Sequence, residues 1–266
     1  MSFDASSIFS QIVIVMVYTE NAGNIGSVAR AMKTMGLSQL VLVSPKRYPD
    51  PFAEWMASGA QDILCNAKVV DSLDDAIAGC HFVVATSARV RRIPWPLVEA
   101  ERGAAIIVQE AMQHHKVAIL MGPESQGLSN EDLQRCHLHL SIPANTEYPV
   151  LNVAMAVQIV SYELRKAVLS IERQGAGSRQ LESDFSMPIL NAQWDAPLAT
   201  QGEFEDFIKH YEQALTEIGF LDPQNPRQLM ARSRRFFSRA RMDKQELNIL
   251  RGVLSQMQLT QKKILD

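Results

Sequence analysis

An α/β domain on a mainly parallel sheet, followed by a small C-terminal helical domain, is the architecture this sequence predicts. Apolar, β-branched runs without polar alternation recur as far as Ile142, which is how a parallel strand covered on both faces reads. Segments with helical spacing fall between these runs, so strands and helices take turns. Beyond Gln201 no strand-like run is left.

Each element can be justified in order. Gln11 to Tyr18 (QIVIVMVY) is a strand that ends in turn residues. Asn21 to Arg30 then reads as a turn with two glycines three apart. Ser27 to Gly36 reads as a helix with Val28, Met32 and Met35 on one side and Gly36 as its stop. Gln39 to Val43 is a strand, Phe52 to Ser58 a short helix, Lys68 to Val70 a short strand, and Leu73 to Ala78 a helix capped by Ser72. Phe82 to Thr86 (FVVAT) is a strand, Ala105 to His114 a helix, and Val117 to Met121 (VAILM) a strand. In SNEDL, Ser129 and Asp132 have capping-box spacing, so a helix opens there. Leu138 to Ile142 is the last strand, and Asn152 to Arg173 is a long helix.

Glycine, serine, proline and polar residues dominate Gln174 to Thr200, a linker composition. The expected boundaries are 1–173 for the α/β domain, 174–200 for the linker and 201–266 for the helical domain.

The net charge of −3 gives no global basic surface, so any contact with nucleic acid must be local. Cys65, Cys80 and Cys136 form no Cys-x-x-Cys pair, which fits a reducing compartment. The N-terminus lacks the basic and apolar regions of a signal peptide, and no run approaches the ~20 apolar residues of a membrane span. A cytoplasmic protein is expected. Cys136-His137-Leu138-His139, with His114 and His115, invites a metal reading. On a strand, however, His137 and His139 share a face while Cys136 points away, and no second ligand cluster has metal spacing. No metal is expected.

Three loops near the C-terminal ends of strands hold the unusual residues, where open α/β sheets gather ligands. The first contains Gly23-Asn24-Ile25-Gly26 and leads to Arg30; it is neither a Walker loop nor a dinucleotide fingerprint. Its glycines are expected to leave room for a partner to approach the backbone. The second is Gly122-Pro123-Glu124-Ser125-Gln126-Gly127-Leu128. The third runs from Ile142-Pro143 to Leu151-Asn152, ahead of a helix rich in small residues.

Taken in this order, Asn-x-Gly-x-x-x-Arg, Gly-x-Glu-x-x-Gly-Leu and Ile-Pro followed by Leu-Asn resemble the SPOUT methyltransferases, and within them the TrmJ-type tRNA 2′-O-methyltransferases. ARAMKTMGL, TSARVRRIPWP, GLSNEDLQRC and LNVAMAVQIVSYEL strengthen the likeness, which is strong from Ile12 to Arg165. The resemblance implies a trefoil-knotted SPOUT domain, S-adenosylmethionine as cofactor, a homodimer, and tRNA as partner. The implied reaction is 2′-O-methylation of cytidine or uridine at position 32 of the anticodon loop. Rival readings are another tRNA position, ribosomal RNA, or RNA binding with little catalysis.

By the same resemblance Arg30 is placed against the ribose hydroxyl. Two roles are open to it: a perturbed base, or a cation that orients ribose and phosphate. The second suits a guanidinium, which normally stays charged and has no lone pair to take a proton. Asn24 would hold the loop or the ribose, and Glu124 would pair with Arg30 or orient Asn24. Asn152 would serve as a helix cap or an active-site group. The implied cofactor contacts are Thr86, Ser87, Ala88, Gly122, Ile142, Leu151 and Asn152. Relatives often carry Gly-Arg-Glu where this chain has Gly122-Pro123-Glu124, and often carry serine where it has Pro149-Val150.

Arg89, Arg91 and Arg92, beside Trp95, suit phosphate and base contact. In the tail, Arg227 to Lys244 contains seven Lys or Arg and one acid. Phe236 and Phe237 are expected to pack inward while Arg232, Arg235 and Arg239 share a face for RNA. Asn225 and Pro226 are expected to start that helix.

Overall fold

The computed structural model describes residues 5–87, 95–174 and 196–265. The chain divides into two compact units, Met1–Asp184 and Phe185–Asp266.

In the first unit, α1 (Ala5–Phe9) buries Ile8 and Phe9, and β1 (Ile12–Val17) is buried at every position. The next segment corrects the expected turn. Asn21 is the N-cap of α2 (Ala22–Met35), accepting the Gly23 N–H at 2.8 Å, so the glycine loop is already helical. Its glycines make room for the neighbouring helix, not for RNA. A β-carbon on Gly26 would run into the Ala53 carbonyl oxygen, and one on Gly23 would run into the Phe52 ring. Gly36 ends α2 at φ 90°, a left-handed value that glycine adopts without steric cost.

β2 (Gln39–Val43) follows, then α3 (Pro51–Ala57), which is capped by Asp50 with Pro51 at its first position. α4 (Gln61–Cys65), absent from the sequence expectation, precedes β3 (Lys68–Val70). α5 (Leu73–Ile77) is capped by Ser72 as expected, and β4 (Phe82–Thr86) follows it. β5 (Leu97–Glu99) was not expected, and α6 (Ala100–Met112) starts at Ala100, earlier than Ala105. β6 (Val117–Met121) leads to α7 (Asn130–Gln134), where both halves of the Ser129–Asp132 capping box form. β7 (Leu138–Ser141) leads to α8 (Val153–Gln174), which buries Val157, Val160, Leu164 and Val168 along one stripe.

These strands form one seven-stranded sheet in the order β3-β2-β1-β6-β4-β7-β5. Every pairing among the described strands is parallel. From β1 the chain steps outward to β2 on one side, while β6 occupies the other. The C-terminal ends of β1 and β6 therefore flank a point where strand order reverses, the usual place for a ligand crevice.

The second unit comprises α9 (Gln201–Glu217), α10 (Leu229–Ala240) and α11 (Lys244–Leu265). Its core contains Phe204, Phe207, Ile208, Ala214, Met242, Leu247 and Leu254. Two details differ from expectation. α10 starts after Gln228, leaving Asn225 and Pro226 in the preceding turn. Phe237 packs edge-on against Phe207 at 4.9 Å, whereas Phe236 is 59% exposed.

Candidate active site

Three segments far apart in sequence are tied together by side-chain amides. Glu124, in the loop after β6, accepts the Asn24 amide at 2.6 Å, the Glu20 N–H at 3.1 Å and the Asn21 N–H at 3.4 Å. Asn24 in turn accepts the Asn152 amide at 3.1 Å, and Asn152 accepts the Ala154 N–H at 2.9 Å. The two ends fix the direction of this chain. A carboxylate only accepts and a backbone N–H only donates, so both asparagines have one self-consistent orientation. Glu124 therefore orients Asn24, and Asn152 both caps α8 and joins the network.

Partial burial pushes the Glu124 pKa up. The hydrogen bonds from Asn24 and from the backbone N–H groups of Glu124, Glu20 and Asn21 outweigh it, and the net shift is downward. The carboxylate lies beside the first turn of α2, whose N-terminal dipole also favours negative charge.

Next to the network, at the C-terminal ends of β4, β6 and β7, lies a cavity of about 170 Å³. Of the expected cofactor contacts Thr86, Ser87, Gly122, Ile142 and Leu151 line it and Asn152 does not; Glu124 lines it too, as do Met121, Leu128, Leu140 and Val153. No sequence pattern marks these last four as lining rather than core. Gly127 turns at φ 67° and donates its N–H to the Pro123 carbonyl at 2.9 Å. This folds the loop back onto Gly122 so closely that a β-carbon there would strike the Leu128 nitrogen. Thr86 uses its hydroxyl internally, donating to the Leu120 carbonyl at 2.9 Å.

Apolar side chains, a hydroxyl and closely turned backbone fit a nucleoside-like molecule, which needs a flat apolar slot and hydrogen-bonding groups at its rim. None of the described lining residues is cationic. The residues present thus fit the chemistry of S-adenosylmethionine.

Arg30 stands apart from this cavity. It is exposed and does not line it. No hydrogen bond or ion pair among the described residues engages it. At about 100° per residue it shares the helical face of Gly23 and Gly26, roughly 120° around from Asn24.

Ala88, Arg89, Arg91 and Arg92 lie outside the described residues. Trp95 has a structural engagement: its indole N–H donates to the Cys136 carbonyl at 2.7 Å and its ring stacks on His139. His137 accepts the Val83 N–H at 3.0 Å. No group of His, Cys, Asp and Glu among the described residues is arranged to hold a metal ion. None of the described helices is long and apolar enough to cross a membrane. In the second unit Arg232 and Arg239 are exposed, Arg235 is half-buried, and Arg234 turns inward to pair with Glu205.

The chain is similar over most of its length to known tRNA methyltransferases. A tRNA (cytidine/uridine-2′-O-)-methyltransferase TrmJ of Pectobacterium atrosepticum is 48% identical over 93% of this chain and 96% of its own length. A tRNA (cytidine/uridine/adenosine-2′-O-)-methyltransferase TrmJ of Pseudomonas aeruginosa is 46% identical over 93% of this chain and 94% of its own. Among solved structures, TrmJ from Z. mobilis ZM4 superposes with a TM-score of 0.75 at 32% identity, covering 92% of this chain and 98% of that one. The fold is accordingly the α/β SPOUT fold. Residues 202–265 match the model of the tRNA methyltransferase TrmJ C-terminal domain. Residues 11–162, more than half of the sequence, match the SpoU rRNA methylase model, and the chain belongs to the SpoU rRNA methylase family.

Proposed function

We propose that this protein transfers a methyl group from S-adenosylmethionine to a ribose 2′-hydroxyl of tRNA, at cytidine or uridine 32 of the anticodon loop. The observation that carries the reading is the Glu124–Asn24–Asn152 network, which gathers three separated loops beside one cavity. The likeness to tRNA 2′-O-methyltransferases over nearly the whole chain supports the substrate. When bound, the cofactor supplies an electrophilic methyl group. The trefoil crossing that belongs to the family resemblance would close the loops after β6 and β7 around it.

The chain's own residues then divide the work. Glu124 is occupied by three donors and held below its ordinary pKa, which makes it a weak general base and a good anchor. Asn24 and Asn152 hold the loops in register. Thr86, Ser87, Ala88, Gly122, Ile142 and Leu151 receive the cofactor. Arg30 orients the ribose and its phosphate and stabilises charge as it develops on oxygen.

Because Arg30 does not line the cavity of its own chain, a homodimer that completes the site fits best. Tyr148, Val150 and Met155, at 78%, 55% and 61% exposure, border the cavity or α8 and offer a second copy an apolar surface. The helical unit from Gln201 onward, together with Arg89, Arg91 and Arg92, captures tRNA in the cytoplasm.

The test is transfer of labelled methyl groups to total tRNA, followed by mass mapping of the modified nucleoside. Incorporation as 2′-O-methylcytidine or 2′-O-methyluridine at position 32 is expected. Modification only of ribosomal RNA would overturn the substrate, and absence of transfer to any RNA would overturn the activity. Sedimentation should find a dimer at micromolar concentration; a monomer would remove the completed site.

A further inference from the structure

α10 presents a short pattern that the capture of RNA by charge does not require. Arg232, Phe236 and Arg239 are all exposed, Phe236 to 59%. At spacings of four and three residues they fall within about 60° of one another around the helix. The rest of α10 is directed elsewhere. Phe237 fills the core between Phe207 and Tyr211, Arg234 pairs with Glu205, and Ser238 is buried. Phe236 leans edge-on against Phe237, with ring centroids 5.3 Å apart at 69°. That contact engages one side of the Phe236 ring and leaves most of the residue exposed. A phenylalanine left exposed on the same helix face as two arginines forgoes the free energy of burial. The arrangement suits a flat, negatively flanked partner.

We infer that Phe236 is a stacking platform for an unpaired nucleobase, with Arg232 and Arg239 holding the phosphates on either side. The inference rests on the proposed RNA substrate and adds a specific contact to it. Aromatic faces stack any base, and guanidiniums supply the phosphate contacts that fix the strand. An apolar protein segment is the less fitting occupant, because two exposed arginines at its rim would lose water without finding a partner. The contact therefore contributes affinity and placement of a single-stranded loop and not a choice of base.

The test uses the full-length protein and unmodified tRNA, with binding followed by anisotropy over a salt series. Phe236→Ala is expected to weaken binding roughly 5- to 150-fold, the range for losing one stacked base. It should leave the slope of affinity against salt unchanged. Arg232→Ala is expected to lower that slope by about one. Phe236→Leu keeps the apolar contact with Phe237 and lacks a ring face, so it should behave like alanine. Phe236→Trp should retain affinity and show tRNA-dependent quenching beyond that of the wild type, which is a direct sign of stacking.

Wild-type affinity in both Phe236→Ala and Phe236→Leu would overturn the platform while leaving the RNA substrate intact. A Phe236→Leu variant that binds like wild type beside a weakened Phe236→Ala would also overturn it, since apolar packing would then explain the loss. Failure of the wild type to bind tRNA would overturn the substrate reading and this inference together.

Discussion

Asn24 and Glu124, separated by 100 residues, meet at 2.6 Å across the point where the sheet reverses its strand order. Through this one contact the first turn of α2 is set against the loop after β6, and Asn152 extends it to α8. The site is thus held by a polar clasp lying over an apolar sheet.

The clasp gives stability a dependence on acid. The Glu124 pKa lies below the ordinary 4.5 in the folded protein. Its contribution is complete above that value and is lost as pH falls through the folded one. Glu124→Gln replaces one accepting oxygen with a donor facing other donors, at a cost of about 1–3 kcal/mol. Thermal unfolding should show a gap between wild type and Glu124→Gln that is wide at neutral pH and narrows below 4.5. A gap of constant width down to pH 3 would mean that the carboxylate's charge does not hold the clasp.

Two glycines on helices should respond in opposite directions to an added methyl group. In Gly26→Ala the methyl group meets backbone of α3, which cannot swing aside, and overpacking of this kind costs about 1–3 kcal/mol. Gly252, within α11, has open space around it, so Gly252→Ala should stabilise by up to about 1 kcal/mol through helix propensity. Denaturant unfolding measures both. An unaffected Gly26→Ala variant would mean that α2 and α3 pack less closely than described.

Gly122→Ala tests the cofactor pocket. The added carbon collides with the Leu128 nitrogen and forces the β6–α7 loop outward. Calorimetry should show S-adenosylmethionine binding weakened roughly tenfold or more, the equivalent of about 1.4 kcal/mol. Unchanged affinity would separate the cofactor from this loop.

Much of the sheet was legible because unbroken apolar runs such as IVIVMV and VAILM, each five or six residues long, are what a strand covered on both faces requires. Local capping chemistry was legible too, at Ser72 and Ser129. The start of α2 was misread because glycine's low helix propensity is overridden there by close packing against α3. β5, three residues long at the sheet edge, is too short to set up a periodicity. For Phe236 and Phe237, adjacent on a helix, spacing alone does not decide which ring enters the core; the position of Phe207 does. The Glu124–Asn24 contact has no local signature at all, since it exists only once β1 and β6 are paired.

In the proposed reaction Arg30 is the residue that orients the ribose. It is exposed and unpaired among the described residues, so Arg30→Ala should shift stability by no more than about 0.5 kcal/mol. Removing a group that stabilises developing charge should nonetheless lower methyl transfer by about 10²- to 10³-fold. The decisive measurement is labelled methyl transfer to tRNA by wild type and Arg30→Ala, with thermal unfolding of both recorded alongside. Loss of transfer at unchanged melting temperature is the expected result. Equal transfer by the two proteins would contradict the role given to Arg30.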